Sequence, residues 1–288
     1  MTIVNIGVVQ LHSTLDKAAN VARAEELIRE AAGDGADLVA LPEYFSCYSA
    51  AVTPESVDTT YRAAAESIPG PLTERLGGLA RELGICIHGG SSFERDGELI
   101  HNTSTIFGPD GTLLARYRKI HLFEATAPEL TYHEGSAITP GEEVVSVDVP
   151  LAGESVTVGL SICYDVRFPE MYRILAAERG AQILFVPAAF PREVGRDHWE
   201  LLMRARAVEN QSIVVAPAQW GVQADGSYTH GRSLVVDQWG TVAATVPDGD
   251  GVAIARLDLD RLATYRRNYP NLRRRQPGVY ASNSKEKN

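Results

Sequence analysis

Two hydrophobic periods take turns along this chain. IVNIGVVQL (Ile3 to Leu11) is short, apolar and β-branched, as a buried strand requires, whereas LDKAANVARAEELIREAAGDG spaces its apolar residues three and four apart, predicting an amphipathic helix stopped by Gly33 and Gly35. ADLVALPE reads as an apolar strand ending at Pro42-Glu43. LTERLGGLARELG reads as a helix, GICIHGGSSFER as a strand, and NTSTIFGPDGTLLARYRKIHL as a hairpin turning at Pro109-Asp110-Gly111. An irregular section is expected from Phe123 to Gly141, then strands near Val144 to Val149 and Val156 to Cys163.

The second half continues in the same style. FPEMYRILAAERG predicts a helix, AQILFVPAAF a strand, HWELLMRARAVENQ a helix and SIVVAPAQW a strand; SLVVDQWGTVAATV predicts a hairpin around Gln238-Trp239-Gly240, and AIARLDL a last strand before a short helix. The stripes Met171, Ile174, Leu175 and Trp199, Leu202, Met203 predict helix faces turned to the core. No linker rich in Pro, Gly or Ser divides these segments. The expectation is therefore one α/β domain over residues 1–280, with helices covering sheets and a polar tail at 281–288.

Composition narrows the classes. The 288 residues, 44% hydrophobic and 22% charged, suit a globular protein with a sizeable core, and no apolar run approaches the roughly 18 residues that span a bilayer. A net charge of −10 repels polyanions, which argues against nucleic acid as a partner. The Arg-rich stretch Tyr265 to Gly278 is then better read as intramolecular or inter-subunit pairing. MTIVNIGVVQLHST lacks a signal-peptide pattern, and Cys47, Cys86 and Cys163 are odd in number and widely spaced; both point to a reduced, cytoplasmic setting. The same spacing, with no H-E-x-x-H or C-x-x-C, gives no metal site, and the Asn102-Thr103-Ser104 sequon carries no meaning without secretion.

Cys163 follows the apolar run VTVGLSI and precedes YDVRFPEMYRILAAERG, which predicts a helix. A cysteine there gains a favourable field and backbone donors, although free cysteine is ordinarily an inert core residue. Glu43 and Lys119 also stand at strand ends, where α/β proteins place reactive groups. Taken singly, they read as a loop acid and a surface cation. Together with Cys163 they have a chemical logic: a carboxylate to take the thiol proton, a thiolate to attack, and an ammonium to hold the resulting oxyanion.

The segments around these three residues are LVALPEYF (Leu38 to Phe45), YRKIHLF (Tyr117 to Phe123) and LSICYDVRFPE (Leu160 to Glu170). In this order they resemble the nitrilase superfamily of carbon-nitrogen hydrolases, and the resemblance extends from IGVVQ to Tyr280. It implies a four-layer αββα sandwich, a homodimer or higher homo-oligomer formed through the outer helices, and no metal or organic cofactor. It implies Cys163 as nucleophile, Glu43 as general base and acid, and Lys119 with the Tyr164 backbone N–H as oxyanion donors. A second glutamate aligns best with Glu134, with Glu129 as its local competitor. FPE after CYDVR and the segment HWELL…RARAVENQ are most similar to Nit-type amidases, which cleave the terminal carboxamide of small acids, and AQWG and SYTHGRSLVVDQWG lean toward the deaminated glutathione type over the omega-amidase type.

Arg167 is expected either to receive a substrate carboxylate or to pair with Asp165 or Glu170. His198 and His230 lack the flanks of a Cys-His pair and read as ordinary hydrogen-bonded residues. Two alternatives stay open: a nitrilase or N-carbamoyl amino acid amidohydrolase using the same three residues, and a non-catalytic binding module on the same fold.

Overall fold

The computed structural model describes residues 1–48, 54–127, 130–223 and 226–282. Among these residues the strands form one nine-stranded sheet, one six-stranded sheet and a separate two-stranded hairpin. Ile3–Leu11 runs through the middle of the larger sheet. It lies parallel to Leu38–Ala40 on one side and, on the other, antiparallel to Gly251–Asp258 and parallel to Ala218–Val222. Cys86–His88 follows, then Leu99–Phe107, which pairs with both Ser92–Asp96 and Leu113–Arg118. The smaller sheet runs Ser146–Leu151, Glu154–Leu160, Ile183–Phe185, Ile213–Ala216, Leu234–Val236 and Val242–Thr245.

The period-2 alternation of the strands decides the layering. Val4, Ile6 and Val8 turn toward the smaller sheet and share a core with Val156, Val158, Leu160 and Phe185. Val9, Leu11, Val39 and Ile87 turn the other way, under Leu27, Ile28 and Ala31 of helix Lys17–Gly33 and Leu76 and Leu79 of helix Pro71–Leu83. The smaller sheet is covered by Met171 and Tyr172 of Pro169–Arg173 and by Trp199, Met203 and Ala207 of Arg192–Asn210. These layers are the αββα sandwich, and each fully buried large aliphatic side chain contributes about 1.5–3 kcal/mol to it.

Several elements differ from the sequence expectation for identifiable reasons. GICIHGGSSFER breaks into Cys86–His88 and Ser92–Asp96 at Gly90, whose φ is +54° and where a Cβ would meet the Pro42 carbonyl oxygen at 2.0 Å. SIVVAPAQW breaks at Pro217, which cannot donate to a ladder, so Ile213–Ala216 joins the smaller sheet and Ala218–Val222 the larger. Within Phe123 to Gly141 stand a hairpin, Glu124–Ala127 with Leu130–His133, and a 3₁₀ turn, Glu134–Ser136. Beyond Cys163 the chain makes a five-residue 3₁₀ turn, Cys163–Arg167, and the α-helix starts only at Pro169, because the residue before proline is held out of the helical region. Glu129 and nearly all of the expected tail lie outside the described residues. No helix among the described residues is long and apolar enough to cross a membrane.

Candidate active site

Glu43, Lys119 and Cys163 come from different strand ends and meet at the seam between the sheets. Glu43 lies in the turn after Leu38–Ala40, where Gly90 leaves room for the Pro42 carbonyl, the Ser91 hydroxyl accepts from the Tyr44 N–H and Gln219 Nε2 donates to the Glu43 carbonyl. Lys119 follows Leu113–Arg118 and is tied down by its N–H to the Asn102 carbonyl and by the Gly141 N–H to its own carbonyl. Cys163 opens its 3₁₀ turn with φ +47°, and Tyr44, next to Glu43, has φ +56°. Left-handed backbone at non-glycine residues costs on the order of 1–3 kcal/mol and clusters at functional sites.

Glu134, opening the Glu134–Ser136 turn, completes the cluster. Lys119 Nζ lies 3.0 Å from Glu43 Oε1 and 3.0 and 2.8 Å from Glu134 Oε1 and Oε2, so one ammonium proton serves Glu43 and one is shared between the two Glu134 oxygens. The Ala189 N–H donates to Glu43 Oε2 at 2.8 Å, and the Cys163 thiol interacts electrostatically with the same carboxyl group. Glu134 accepts from the Tyr44 hydroxyl at 2.5 Å and from the Phe123 N–H at 2.7 Å. All four side chains are buried.

One ammonium among two carboxyls and a thiol sets the protonation. Burial pushes Glu43 above the usual carboxylate range; Lys119 opposes this, and the charge of Glu134 adds to it. Burial also works against Glu134, but the Lys119 charge and the hydrogen bonds from Lys119, Phe123 and Tyr44 outweigh it and leave Glu134 below its usual value. Lys119 is disfavoured by burial yet held well above its ordinary value by the two glutamates. Cys163 lies well above the ordinary thiol range, through burial first and the Glu43 charge second. In this state the field at the start of the turn is outweighed, so the thiol is raised and not lowered, and Glu43 is the carboxyl beside it.

The sequence reading missed the residues that hold this cluster in shape. Asn102 Nδ2 donates to both glutamates. Asp165, fully buried, accepts from the Ile162 N–H, the Tyr117 hydroxyl and the His121 N–H, and its Oδ1 lies 2.7 Å from His121 Nδ1, so it ties the Cys163 turn to both sides of Lys119. The available signal for Asn102 was a polar run, His101 to Thr105, inside a strand with apolar ends. Asp165 gave only the weaker signal of an acid two residues beyond the nucleophile.

Arg167 has no carboxylate partner among the described residues. Its guanidinium lies against the rings of Tyr164 and Phe190, 3.5 Å from His198 Nδ1, so the pairing with Asp165 or Glu170 is not formed. His230 is half-buried and pushed below its ordinary value by burial and by Arg232 and Arg192. In the Arg-rich stretch, Arg266 donates to the carbonyls of Gln211, Gly180 and Ala181, and Arg275 reaches Glu178 at 3.5 Å. Cys47 and Cys86 are buried and free, with burial pushing Cys86 up to about 12.

Comparison with known proteins agrees with this geometry. The profile of the carbon-nitrogen hydrolase family matches residues 5–267. The chain is similar to the omega-amidase NIT2 of Homo sapiens, 42% identical over 99% of this chain and 100% of that one, and to the deaminated glutathione amidase of a Synechocystis species, 39% identical over 92% and 96%. Among solved structures, Nit3 of Saccharomyces cerevisiae, a nitrilase superfamily member, superposes with a TM-score of 0.81 at 32% identity over 93% of this chain and 94% of that one. Family profile, relatives and fold agree: the chain belongs to the carbon-nitrogen hydrolase family of the nitrilase superfamily and is an amidase.

Proposed function

We propose that this amidase cleaves the terminal carboxamide of a small carboxylic acid, of the 2-oxo acid ω-amide or deaminated glutathione type, through a thioester on Cys163. One observation carries the reading: a thiol and a carboxyl, both pushed up by burial, share one buried cluster with a fixed ammonium. The names of the two relatives point to the same substrate class.

In the first half-reaction Glu43 takes the thiol proton as sulfur bonds to the amide carbon. The carbonyl electron pair moves onto oxygen, where the Lys119 charge and the Tyr164 N–H stabilise it; loss of one such donor costs on the order of 100- to 1,000-fold. Glu43 then gives its proton to nitrogen, the C–N bond breaks and ammonia leaves. In the second half-reaction Glu43 takes a proton from water, the oxygen attacks the thioester, and the acid departs as the thiolate regains its proton. Glu134 keeps Lys119 charged and in place.

Arg167, lacking a carboxylate of its own and set one turn from Cys163, receives the substrate carboxylate. Arg167→Ala then raises KM for acid amides about tenfold or more while leaving an uncharged carboxamide nearly unaffected; equal losses on both would contradict this role. Leu201, Val208, Trp239 and Tyr269 form exposed apolar surface on and beside Arg192–Asn210, which supports a homodimer through the outer helices. A monomer in sedimentation at micromolar concentration would contradict that. Three free cysteines support work in the cytoplasm, and a tagged chain found in an oxidising compartment would contradict it. Ammonia release from 2-oxoglutaramate and deaminated glutathione, compared with nitriles and N-carbamoyl amino acids, tests the substrate class. Turnover of only the last two would overturn it.

A further inference from the structure

Strand Leu99–Phe107 buries five consecutive polar residues, His101 to Thr105. Thr103 gives its hydroxyl to Glu94, and Ser104 Oγ lies 3.0 Å from His88 Nε2, so those two have partners outside the cluster. Asn102 is different. Its Nδ2 reaches Glu43 Oε1 at 2.9 Å and Glu134 Oε1 at 3.2 Å, the same two oxygens that Lys119 Nζ holds at 3.0 Å each. Two carboxyls that repel one another are thus bridged twice, once by an ammonium and once by a neutral amide. Asn102 Oδ1 is buried without a hydrogen-bond partner among the described residues, so within this cluster the side chain is oriented through its donor end alone.

Two of the Lys119 protons serve the glutamates in this arrangement, and the third remains for an oxyanion. A forming oxyanion draws the ammonium toward itself and weakens its hold on the carboxyls, which would drift unless another donor kept them. We infer that Asn102 is a positioning residue that holds Glu43 and Glu134 together while Lys119 turns its remaining N–H to the oxyanion. The inference deepens the amidase reading and rests on it for the oxyanion step.

The variants Asn102→Leu, which lacks both donors, and Asn102→Asp, which keeps the size but cannot donate when ionised, test it. The charged and titratable groups facing the two carboxyls are Lys119, Cys163 and the Tyr44 hydroxyl. Removing a donor to an ionised carboxylate disfavours ionisation, so the acidic limb of the kcat/KM profile moves to higher pH, further in Asn102→Asp, which adds a negative charge. The expected result is a kcat lower by roughly 10- to 100-fold with KM within about twofold, as small misplacements of reacting groups produce. The low-pH inflection of Cys163 alkylation by iodoacetamide moves the same way; this readout needs no substrate and so separates failure of the inference from failure of the substrate assignment. Wild-type kcat and acidic limb with only a lower melting temperature would assign Asn102 to sheet packing and overturn the inference, as would a loss confined to KM. Asn102→Asp decides alone if the leucine variant does not fold.

Discussion

Arg118 and Lys119 are neighbours in sequence and serve two clusters that look alike on paper, each joining acids to bases around a buried glutamate. On one face of the strand pair, Glu94 accepts from Arg116, from Arg118 through both oxygens and from the Thr103 hydroxyl. On the other, Lys119 serves Glu43 and Glu134, with Asn102 as the neighbour of Thr103. The register Thr103↔Arg118 places the two sets back to back. Glu94 has two guanidinium partners, and although burial works against it, those contacts hold it below the usual carboxylate range. Glu43 shares one ammonium with a second acid in a drier place and is pushed up. A buried carboxyl with cations to spare is a fixture of the fold; one with too few can change its protonation during a reaction.

Neutral substitutions separate the two clusters. Glu43→Gln is expected to lower kcat by about 100- to 10,000-fold, the range for loss of a positioned base. Because the Glu43 charge raises the Cys163 thiol, the same variant moves the pH midpoint of Cys163 alkylation downward. A thiolate that forms more readily in a nearly dead enzyme is the signature of a base; unchanged turnover would remove Glu43 from the mechanism.

Glu134→Gln has a smaller effect, a kcat lower by roughly 10- to 100-fold through misplaced Lys119. Since the Glu134 charge raises Glu43, its removal moves the acidic limb to lower pH, opposite in sign to the shift expected for Asn102. A limb that moves upward would contradict the charge balance described for this cluster.

The smallest effect on activity is expected from Glu94→Gln, with kcat within about twofold and stability lower by about 1–3 kcal/mol, the range for hydrogen bonds to charged groups. Glu94 has a depressed value in the folded state, so its contribution is present above the unfolded carboxylate value of about 4.3 and is lost as pH falls through the folded value. Urea titrations of wild type and variant should therefore converge in acid; a constant gap down to the lowest pH would mean that the charge is not what Glu94 supplies.

The sequence made two of the strand ends legible, because apolar runs stop sharply at Glu43 and at Cys163. It did not show the face on which each polar neighbour falls. Asn102 and Thr103, or Arg118 and Lys119, differ only by the alternation of a strand whose pairing comes from distant segments. The Glu134 turn was equally hidden, since its hairpin is short, carries no strong apolar alternation and is anchored through Phe123 and Tyr44, far apart in the chain. The turn after Cys163 read as helix because Pro169 starts a genuine one.

The central claim is that the thiol of Cys163, kept protonated until Glu43 takes its proton, carries the acyl group. Its most direct test is intact-mass and peptide mapping of enzyme quenched in acid during turnover of 2-oxoglutaramate. A mass gain equal to the substrate minus ammonia on the peptide holding Cys163, absent in Cys163→Ala, is the predicted result. Sustained ammonia release with no adduct on Cys163, or undiminished turnover by Cys163→Ala, would contradict it.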